Sequence, residues 1–154
     1  MATVRELLDA AADLPGESAR RDVEVLLCHC LGKSRAWLYA WPEAEIDAPQ
    51  QRHYAQMLAQ RRAGRPLAYL TGRREFWSLD LAVNDATLIP RPETETLVAR
   101  ALELPLAADA AVLDLGTGSG AIALALASER PGWRVTATDK CPAALAVALR
   151  NARD

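Results

Sequence analysis

Apolar residues in the first part of the chain recur at intervals of three and four, the spacing that places side chains on one face of a helix. Such faces run over residues 4–11, 23–31 and 54–58. The residues at their ends suit caps or breaks, namely Thr3 with Glu6, Pro15-Gly16, Gly32, Ser34, Asp47 with Gln50, and Gly64. The pattern predicts a bundle of short helices over residues 1–72.

The periodicity changes over residues 73–90. Apolar and polar residues alternate there, with Leu79, Leu81 and Val83 as the apolar members. This alternation is typical of a strand with one buried face, and Asn84-Asp85 is typical of a turn. We therefore predict a β-hairpin that links the helical bundle to the segment that follows. A helix is expected next, with Pro92 in its first turn and its end near Leu104.

The remaining residues alternate between strand and helix patterns. The apolar run 110–113 predicts a buried strand, residues 121–127 a helix and residues 134–139 a second strand, with a further helix after it. This order is typical of a parallel sheet, so we predict an α/β fold in which residues 91–154 form the first part of a Rossmann-like domain. Such sheets usually have more strands and bury both faces. We therefore expect the chain to be the N-terminal part of a longer protein.

The junction between the first predicted strand and its helix is the strongest candidate site. Residues 114–120 spell Asp-Leu-Gly-Thr-Gly-Ser-Gly. Glycine permits a positive φ and leaves room for a ligand to approach the backbone. The first N–H groups of the following helix have no partner within the helix and point toward the loop. The motif predicts a nucleotide-binding loop, with a tight turn that binds nothing as the alternative.

Two carboxylates bear on which nucleotide the loop takes. Residues 116–121 also fit the loose Gly-x-Gly-x-x-Ala pattern of dinucleotide-binding folds, so an NAD-binding oxidoreductase domain is an alternative. Asp139, at the end of the second strand, suits a ribose diol, which NAD and S-adenosylmethionine share. Asp114 would repel a pyrophosphate but attract the cationic methionine end of S-adenosylmethionine. The charge pattern therefore favours S-adenosylmethionine.

Composition narrows the function classes. The 154 residues are 51% hydrophobic and 25% charged, with a net charge of −2, which is typical of a globular protein and does not suggest general nucleic-acid binding. The sequence has no apolar run of membrane-spanning length and no signal-peptide core at its start, so we expect a cytoplasmic protein. The three cysteines and two histidines lack metal-ligand spacing, so no metal is predicted.

Several segments together resemble the release factor glutamine methyltransferases, the PrmC/HemK family. In the family's order they are Arg65–Gly72 (RPLAYLTG), Glu75–Trp77 (EFW), Leu88–Glu95 (LIPRPETE) and Asp114–Ala123 (DLGTGSGAIA). The glycine loop alone indicates only a methyltransferase of this broad fold, whereas the IPRPETE string is far more specific. The resemblance covers essentially the whole chain.

The resemblance implies an enzyme that methylates the side-chain amide nitrogen of glutamine in the Gly-Gly-Gln motif of peptide chain release factors, with S-adenosylmethionine as the methyl donor. It implies a helical substrate-docking domain at residues 1–72, a hairpin linker at 73–90 and an incomplete S-adenosylmethionine-dependent methyltransferase domain at 91–154. The parent enzyme is expected to be a monomer without nucleic-acid or membrane partners.

The family's Asn-Pro-Pro-Tyr motif, which the resemblance implies would bind the substrate glutamine, does not occur in this sequence. No catalytic residue is therefore assigned, and a non-catalytic docking fragment is a further alternative. Arg91, between two prolines, is assigned to substrate binding, with an ordinary surface ion pair as an equal alternative. The predicted donor-binding residues are Asp114, Gly116, Thr117, Gly118, Ser119, Gly120 and Asp139.

Overall fold

The computed structural model describes residues 2–9 and 18–154. Backbone proximity divides the chain into two compact units, residues 1–71 and 72–154. Ala11 and the Pro15-Gly16 break, both part of the sequence prediction, lie outside the described residues. Within the described ranges, no helix combines the length and the apolar character that a membrane crossing requires.

The first unit contains five helices in its described part, which are α1 Val4–Asp9, α2 Ala19–Leu31, α3 Arg35–Ala40, α4 Ala48–Arg62 and α5 Leu67–Thr71. The Thr3 N–H donates to Glu6 Oε2 at 2.9 Å and the Glu6 N–H donates to Thr3 Oγ1 at 3.3 Å, which is the reciprocal capping box predicted for α1. Ser34 and Asp47 each accept from the N–H three residues further on. The predicted bundle of short helices is confirmed.

An apolar core lies between the helices of this unit. Its buried members are Val4, Val23, Leu26, Leu27, Leu38, Ile46, Tyr54, Met57 and Leu58. Most of them sit at the spacing of three and four residues that predicts the helices. The Tyr54 hydroxyl donates to the Leu7 carbonyl at 3.2 Å, so the buried ring also ties α4 to α1.

Glu24 places a charge at the edge of this core, with only 2% of its surface exposed. Its carboxylate accepts hydrogen bonds from the Tyr39 hydroxyl and from Arg35 Nε, the latter at 2.6 Å, and Arg20 Nε lies 3.5 Å away. Burial alone would raise the pKa of Glu24, but the hydrogen bonds from Tyr39 and Arg35 and the two positive charges outweigh it and lower that pKa. The ionised carboxylate therefore joins α2 to α3.

Acid is expected to destabilise this helical unit through Glu24. Because the pKa is lowered on folding, the ionised carboxylate stabilises the unit above the ordinary pKa of 4.5, and this contribution disappears as the pH falls through the folded pKa. Glu24→Gln should be less stable at neutral pH and should lose part of the acid dependence. Amide exchange in α2, followed in increasing urea at a series of pH values, gives the unfolding midpoint of this unit and tests the prediction.

Glu43→Gln is the control for that measurement, since Glu43 is an exposed carboxylate paired with Arg5. It should leave the acid dependence of α2 nearly unchanged. An unaltered dependence in Glu24→Gln would show that other carboxylates govern acid unfolding of this unit.

The second unit contains strands and helices in alternation. In order they are β1 Arg73–Phe76, β2 Leu79–Ala82, a 3₁₀ turn Pro92–Thr94, α6 Glu95–Leu102, β3 Ala111–Leu115, α7 Ala121–Glu129, β4 Arg134–Thr138 and α8 Pro142–Asn151. The predicted α/β class is confirmed, because helices alternate in this unit with two strands that pair in parallel. The predicted functional division of the chain remains a prediction, because compactness does not show what a unit binds.

The hairpin of β1 and β2 turns at a different place from the one the sequence suggests. Phe76 pairs with Leu79, so Trp77 and Ser78 form a two-residue turn, and both have positive φ, 51° and 60°. The Trp77 N–H donates to Glu95 Oε1 at 3.0 Å, which helps to hold this conformation. The Asn84-Asp85 pair does not make the hairpin turn.

Asn84 instead starts a separate turn after β2. The Ala86 N–H donates to Asn84 Oδ1 at 3.0 Å, and the Thr87 N–H donates to the Asn84 carbonyl at 2.9 Å. The turn chemistry recognised in the sequence is therefore present, but it shapes the segment that leads to Arg91.

Strands β3 and β4 are parallel, with Ala111 opposite Arg134 and Leu115 opposite Thr138. The prediction that β3 is a buried strand is wrong for this chain, because Leu113 and Leu115 are 57% and 74% exposed. Side chains alternate across a strand, so these leucines share one face while Val112 packs against the core from the other. In the described part of the chain only one face of this strand pair is covered by core residues.

The core of the second unit includes the hairpin. Its buried members are Phe76, Leu81, Val98, Ala121, Ala125, Leu126 and Trp133. They come from both hairpin strands, from α6 and α7, and from the turn before β4. The hairpin thus packs as part of this unit, and it lies in the same body as the glycine loop that follows β3.

Candidate functional site

The glycine loop connects β3 to α7. Gly116, Gly118 and Gly120 all have positive φ, at 79°, 57° and 85°. Residues that carry a side chain rarely adopt a positive φ, whereas glycine adopts it readily, and this explains the glycine at each of the three positions. A Cβ at Gly116 or Gly118 would meet no atom within 4 Å, so the space beside these two backbones is open to a ligand.

The loop begins over the carboxyl end of β4. The N–H groups of Gly116 and Thr117 both donate to the Thr138 carbonyl, at 2.8 and 2.9 Å. This shared acceptor extends the pairing of β3 and β4 beyond the last residues of the strands. It brings residues 116–118 beside Asp139, which follows β4 directly.

Asp139 binds the middle of the loop. Its Oδ2 accepts from the Gly118 N–H at 2.9 Å and its Oδ1 accepts from the Cys141 N–H at 2.9 Å. These bonds, first that from Cys141 and then that from Gly118, lower the pKa of Asp139, so the carboxylate is ionised at neutral pH. Each carboxylate oxygen has a second lone pair, so both can still accept from a ligand hydroxyl.

Asp114 ends the strand on the other side of the loop. The Thr117 hydroxyl donates to Asp114 Oδ2 at 2.7 Å. Thr117 is buried, and its hydroxyl hydrogen is committed to this carboxylate. The contact therefore orients Asp114 at the base of the loop, which differs from the direct ligand contact predicted for Thr117. The hydroxyl oxygen can still accept a hydrogen bond.

The last glycine of the loop is also the N-cap of α7. Gly120 has no side chain to cap the helix, so the N–H groups of the first turn receive no side-chain acceptor from it. A Cβ there would lie 3.2 Å from Leu124 Cδ1 and 3.3 Å from Ala148 Cβ. Gly120 therefore serves helix packing as well as backbone conformation.

Two of the predicted site residues have other surroundings. Ser119 is 2% exposed, so its side chain is turned away from solvent. Arg91 is exposed at the start of the 3₁₀ turn, and within the described ranges it has no carboxylate partner. The surface ion pair offered as an alternative for Arg91 is therefore not formed by the described residues.

Asn151, at the end of α8, is a site neighbour that the sequence analysis missed. Its Nδ2 donates to the Ser119 carbonyl at 2.8 Å. A lone asparagine near the end of a helix carries no recognisable pattern, so only the folded structure identifies this contact.

These residues place two carboxylates and accessible backbone around one loop. Asp114 and Asp139 flank the loop, the latter ionised, and Gly116 and Gly118 leave their backbones open. This chemistry fits a ligand with a positive charge and hydroxyl groups, and S-adenosylmethionine has both. Among residues 2–9 and 18–154, no group of three or more acidic, histidine or cysteine side chains is arranged to hold a metal ion.

Comparison with known families gives two matches. Residues 3–72 match the PrmC N-terminal domain and residues 94–154 match the methyltransferase small domain. The two matches lie on either side of the hairpin and follow the order of the two compact units.

Curated relatives match the chain across both regions. A release factor glutamine methyltransferase of Shewanella oneidensis is 58% identical over 135 residues, covering 88% of this chain and 47% of the relative. Enzymes of the same name from Pseudomonas aeruginosa and Escherichia coli are 50% and 51% identical, covering 98% and 89% of this chain and 55% and 50% of those relatives. The chain thus spans about half the length of the curated relatives it matches. These names support a methyltransferase and give no support to the NAD-binding alternative.

Proposed function

We infer that the chain belongs to the family of the release factor glutamine methyltransferases, whose members it matches over about half their length. We propose that it binds S-adenosylmethionine for methylation of a glutamine side chain in a peptide chain release factor. The observation that carries the proposal is the glycine loop held between Asp114 and the ionised Asp139. The acceptor is the amide nitrogen of the glutamine in the Gly-Gly-Gln motif.

The donor is held by the loop and its two carboxylates. Asp139 accepts hydrogen bonds from the ribose hydroxyls while it keeps the Gly118 N–H. Asp114, oriented by Thr117, attracts the cationic methionine end. Gly116 and Gly118 let the donor approach the backbone, since no atom occupies the space beside them. The bound donor supplies a methyl group on a positively charged sulfur, which is a good leaving group.

Positioning is the main task of the protein in this reaction. An amide nitrogen is a weak nucleophile because its lone pair is delocalised into the carbonyl group. The methyl donor is intrinsically reactive, so alignment of the nitrogen, the methyl carbon and the sulfur matters more than a strong base. Arg91, exposed next to two prolines, is assigned to holding the acceptor segment near the donor.

The helical unit is assigned to the release factor. Residues 1–72 form the docking domain in this proposal, and residues 91–154 contribute the donor loop. Release factors work at the ribosome, so the enzyme acts in the cytoplasm and needs no membrane partner. The whole protein is proposed to work as a monomer, since one loop and one docking unit serve one acceptor.

Calorimetric titration tests the donor half of the proposal. S-adenosylhomocysteine, which has the same ribose and the same cationic α-amino group but no transferable methyl group, is expected to bind the chain. NAD is expected to give no heat of binding, because its pyrophosphate would lie near Asp114. Binding of NAD without binding of the homocysteine analogue would instead establish the dinucleotide alternative.

A transfer assay tests the acceptor half. The protein, in the longest form that its gene encodes, is incubated with labelled S-adenosylmethionine and a bacterial release factor. Mass spectrometry is expected to place one methyl group on the glutamine of the Gly-Gly-Gln motif. Donor binding together with methylation of a different residue would retain the methyltransferase assignment and reject this acceptor.

A further inference from the structure

Three hydrogen bonds connect the Asn151 side chain to two segments that are distant from it in the sequence. Its Oδ1 accepts from the Ala82 N–H at 2.8 Å, and its Nδ2 donates to the Ala82 carbonyl at 3.0 Å. The same Nδ2 donates to the Ser119 carbonyl at 2.8 Å. Ala82 ends β2 of the hairpin, and Ser119 lies in the glycine loop.

We propose that Asn151 is a positioning residue that couples the donor loop to the hairpin strand leading toward the acceptor segment. The inference rests on the proposed function, because it assigns the loop to the methyl donor and the segment around Arg91 to the acceptor. Asn151 does not touch the predicted donor position itself. It acts through the backbone of Ser119 on one side and of Ala82 on the other.

The carboxamide matches these three backbone groups in number and in kind. A carboxamide has two N–H hydrogens and one carbonyl oxygen, and here both hydrogens meet carbonyls while the oxygen meets an N–H. The Ala82 N–H is a donor, so the side-chain atom opposite it must be an oxygen. This fixes the orientation of the amide, and no other side chain of this length provides the same set.

The contact positions the loop because of where Ser119 lies. Gly118, its neighbour, donates to Asp139, and Gly120, on its other side, is the N-cap of α7. A shift of the Ser119 carbonyl therefore displaces the backbone that faces the ribose carboxylate. Asn151 holds that carbonyl in place from the end of α8.

The other end of the contact positions the hairpin. Ala82 is buried, and its N–H and carbonyl both pair with Asn151, as they would with a further strand. The chain runs from Ala82 through the Asn84–Thr87 turn to Arg91 in nine residues. Order in the glycine loop is thereby transmitted to the start of the segment that the proposed function assigns to the acceptor.

Two substitutions separate hydrogen bonding from simple packing. Asn151→Asp keeps the size and one acceptor but places a negative oxygen against two carbonyls. Asn151→Ala removes all three hydrogen bonds without repulsion. Arg153→Ala, two residues further along, changes an exposed side chain and is the matched control.

The experiment combines donor affinity with amide exchange. Calorimetry with S-adenosylhomocysteine is expected to show an affinity loss of about tenfold or more in Asn151→Asp, a smaller loss in Asn151→Ala and no change in Arg153→Ala. Saturation with the analogue should slow exchange of the Ala82 amide in the unchanged chain and in the control, but not in the two Asn151 variants. All measurements are made well below the thermal midpoint of each variant.

The outcomes distinguish this inference from the function on which it rests. An unchanged chain that binds no donor analogue would overturn both. Donor binding with an affinity that both Asn151 variants retain, or donor-dependent protection of Ala82 that survives in them, would overturn only the coupling role. Equal losses of stability with normal donor affinity would make Asn151 a structural residue.

Discussion

Replacing Asp139 with alanine is expected to weaken binding of the methyl donor by about tenfold or more, because the charge-assisted hydrogen bonds to the ribose are lost. The same change removes the acceptor that holds the N–H groups of Gly118 and Cys141. The loop therefore loses a ligand contact and an internal restraint at once. Calorimetry with S-adenosylhomocysteine on the unchanged chain and the variant measures the effect.

Two companion variants separate these contributions. Asp139→Asn keeps one oxygen and the shape of the side chain but loses the charge. Its donor affinity should therefore lie between that of the unchanged chain and that of Asp139→Ala. Asp109→Ala removes an exposed carboxylate that lies 3.6 Å from Arg134, and it should bind normally. An affinity in Asp139→Ala equal to that of the unchanged chain would reject the ribose role.

The lowered pKa of Asp139 adds a reason to expect a large effect. The carboxylate stays ionised at a lower pH than an ordinary aspartate, because the N–H groups of Cys141 and Gly118 favour the charged form and lower its pKa. The acceptor of the proposed ribose bonds is thus already charged and oriented before a ligand arrives. Little reorganisation is needed on binding, and preorganisation of this kind favours affinity.

Most of the secondary structure follows from the sequence pattern alone. Spacings of three and four predict the helices of the first unit, the apolar run 110–113 predicts β3, and the strand pattern of residues 134–139 predicts β4. The capping residues Thr3, Ser34 and Asp47 mark helix starts correctly because their bonds are local. Local interactions are visible in a sequence since their partners lie a few residues away.

The hairpin turn shows where local rules fail. Trp77 and Ser78 adopt positive φ, although neither is a residue type that favours it. Carboxylates from distant parts of the chain help to stabilise the turn, with Glu95 accepting from the Trp77 N–H and Glu129 from the indole. Tertiary contacts thus override a local preference, and no sequence pattern around residue 77 indicates these contacts.

The candidate site likewise has features that the sequence pattern indicates and features that only the folded chain shows. The glycine spacing and the two aspartates are recognisable because the strand, loop and helix that present them are consecutive in the chain. The commitment of the Thr117 hydroxyl to Asp114 and the burial of Ser119 depend on how the loop folds back. Asn151 lies 32 residues from Ser119 and 69 from Ala82, so no local sequence pattern predicts its contacts.

Gly120→Ala is expected to destabilise the second unit by about 2 kcal/mol or more, since it combines backbone strain with overpacking. The φ of 85° is unfavourable for alanine, and the new methyl group would lie 3.2 Å from Leu124 and 3.3 Å from Ala148. Ala148 belongs to α8, so the added group would press α7 and α8 apart. Hydrogen exchange of the amides in α7 and β4 reports the stability of this unit alone.

Gly116→Ala is the matched control, because Gly116 has a similar φ of 79° but no atom within 4 Å of the place that the new methyl group would take. Its stability should fall only by the cost of backbone strain, about 1 kcal/mol. Its donor affinity should also fall, because the methyl group would occupy the open space beside the loop. Gly120→Ala should show the reverse balance, with a larger loss of stability. Equal stability losses in the two variants would mean that the close contacts with α8 relax at no cost and that strain alone explains the glycine at position 120.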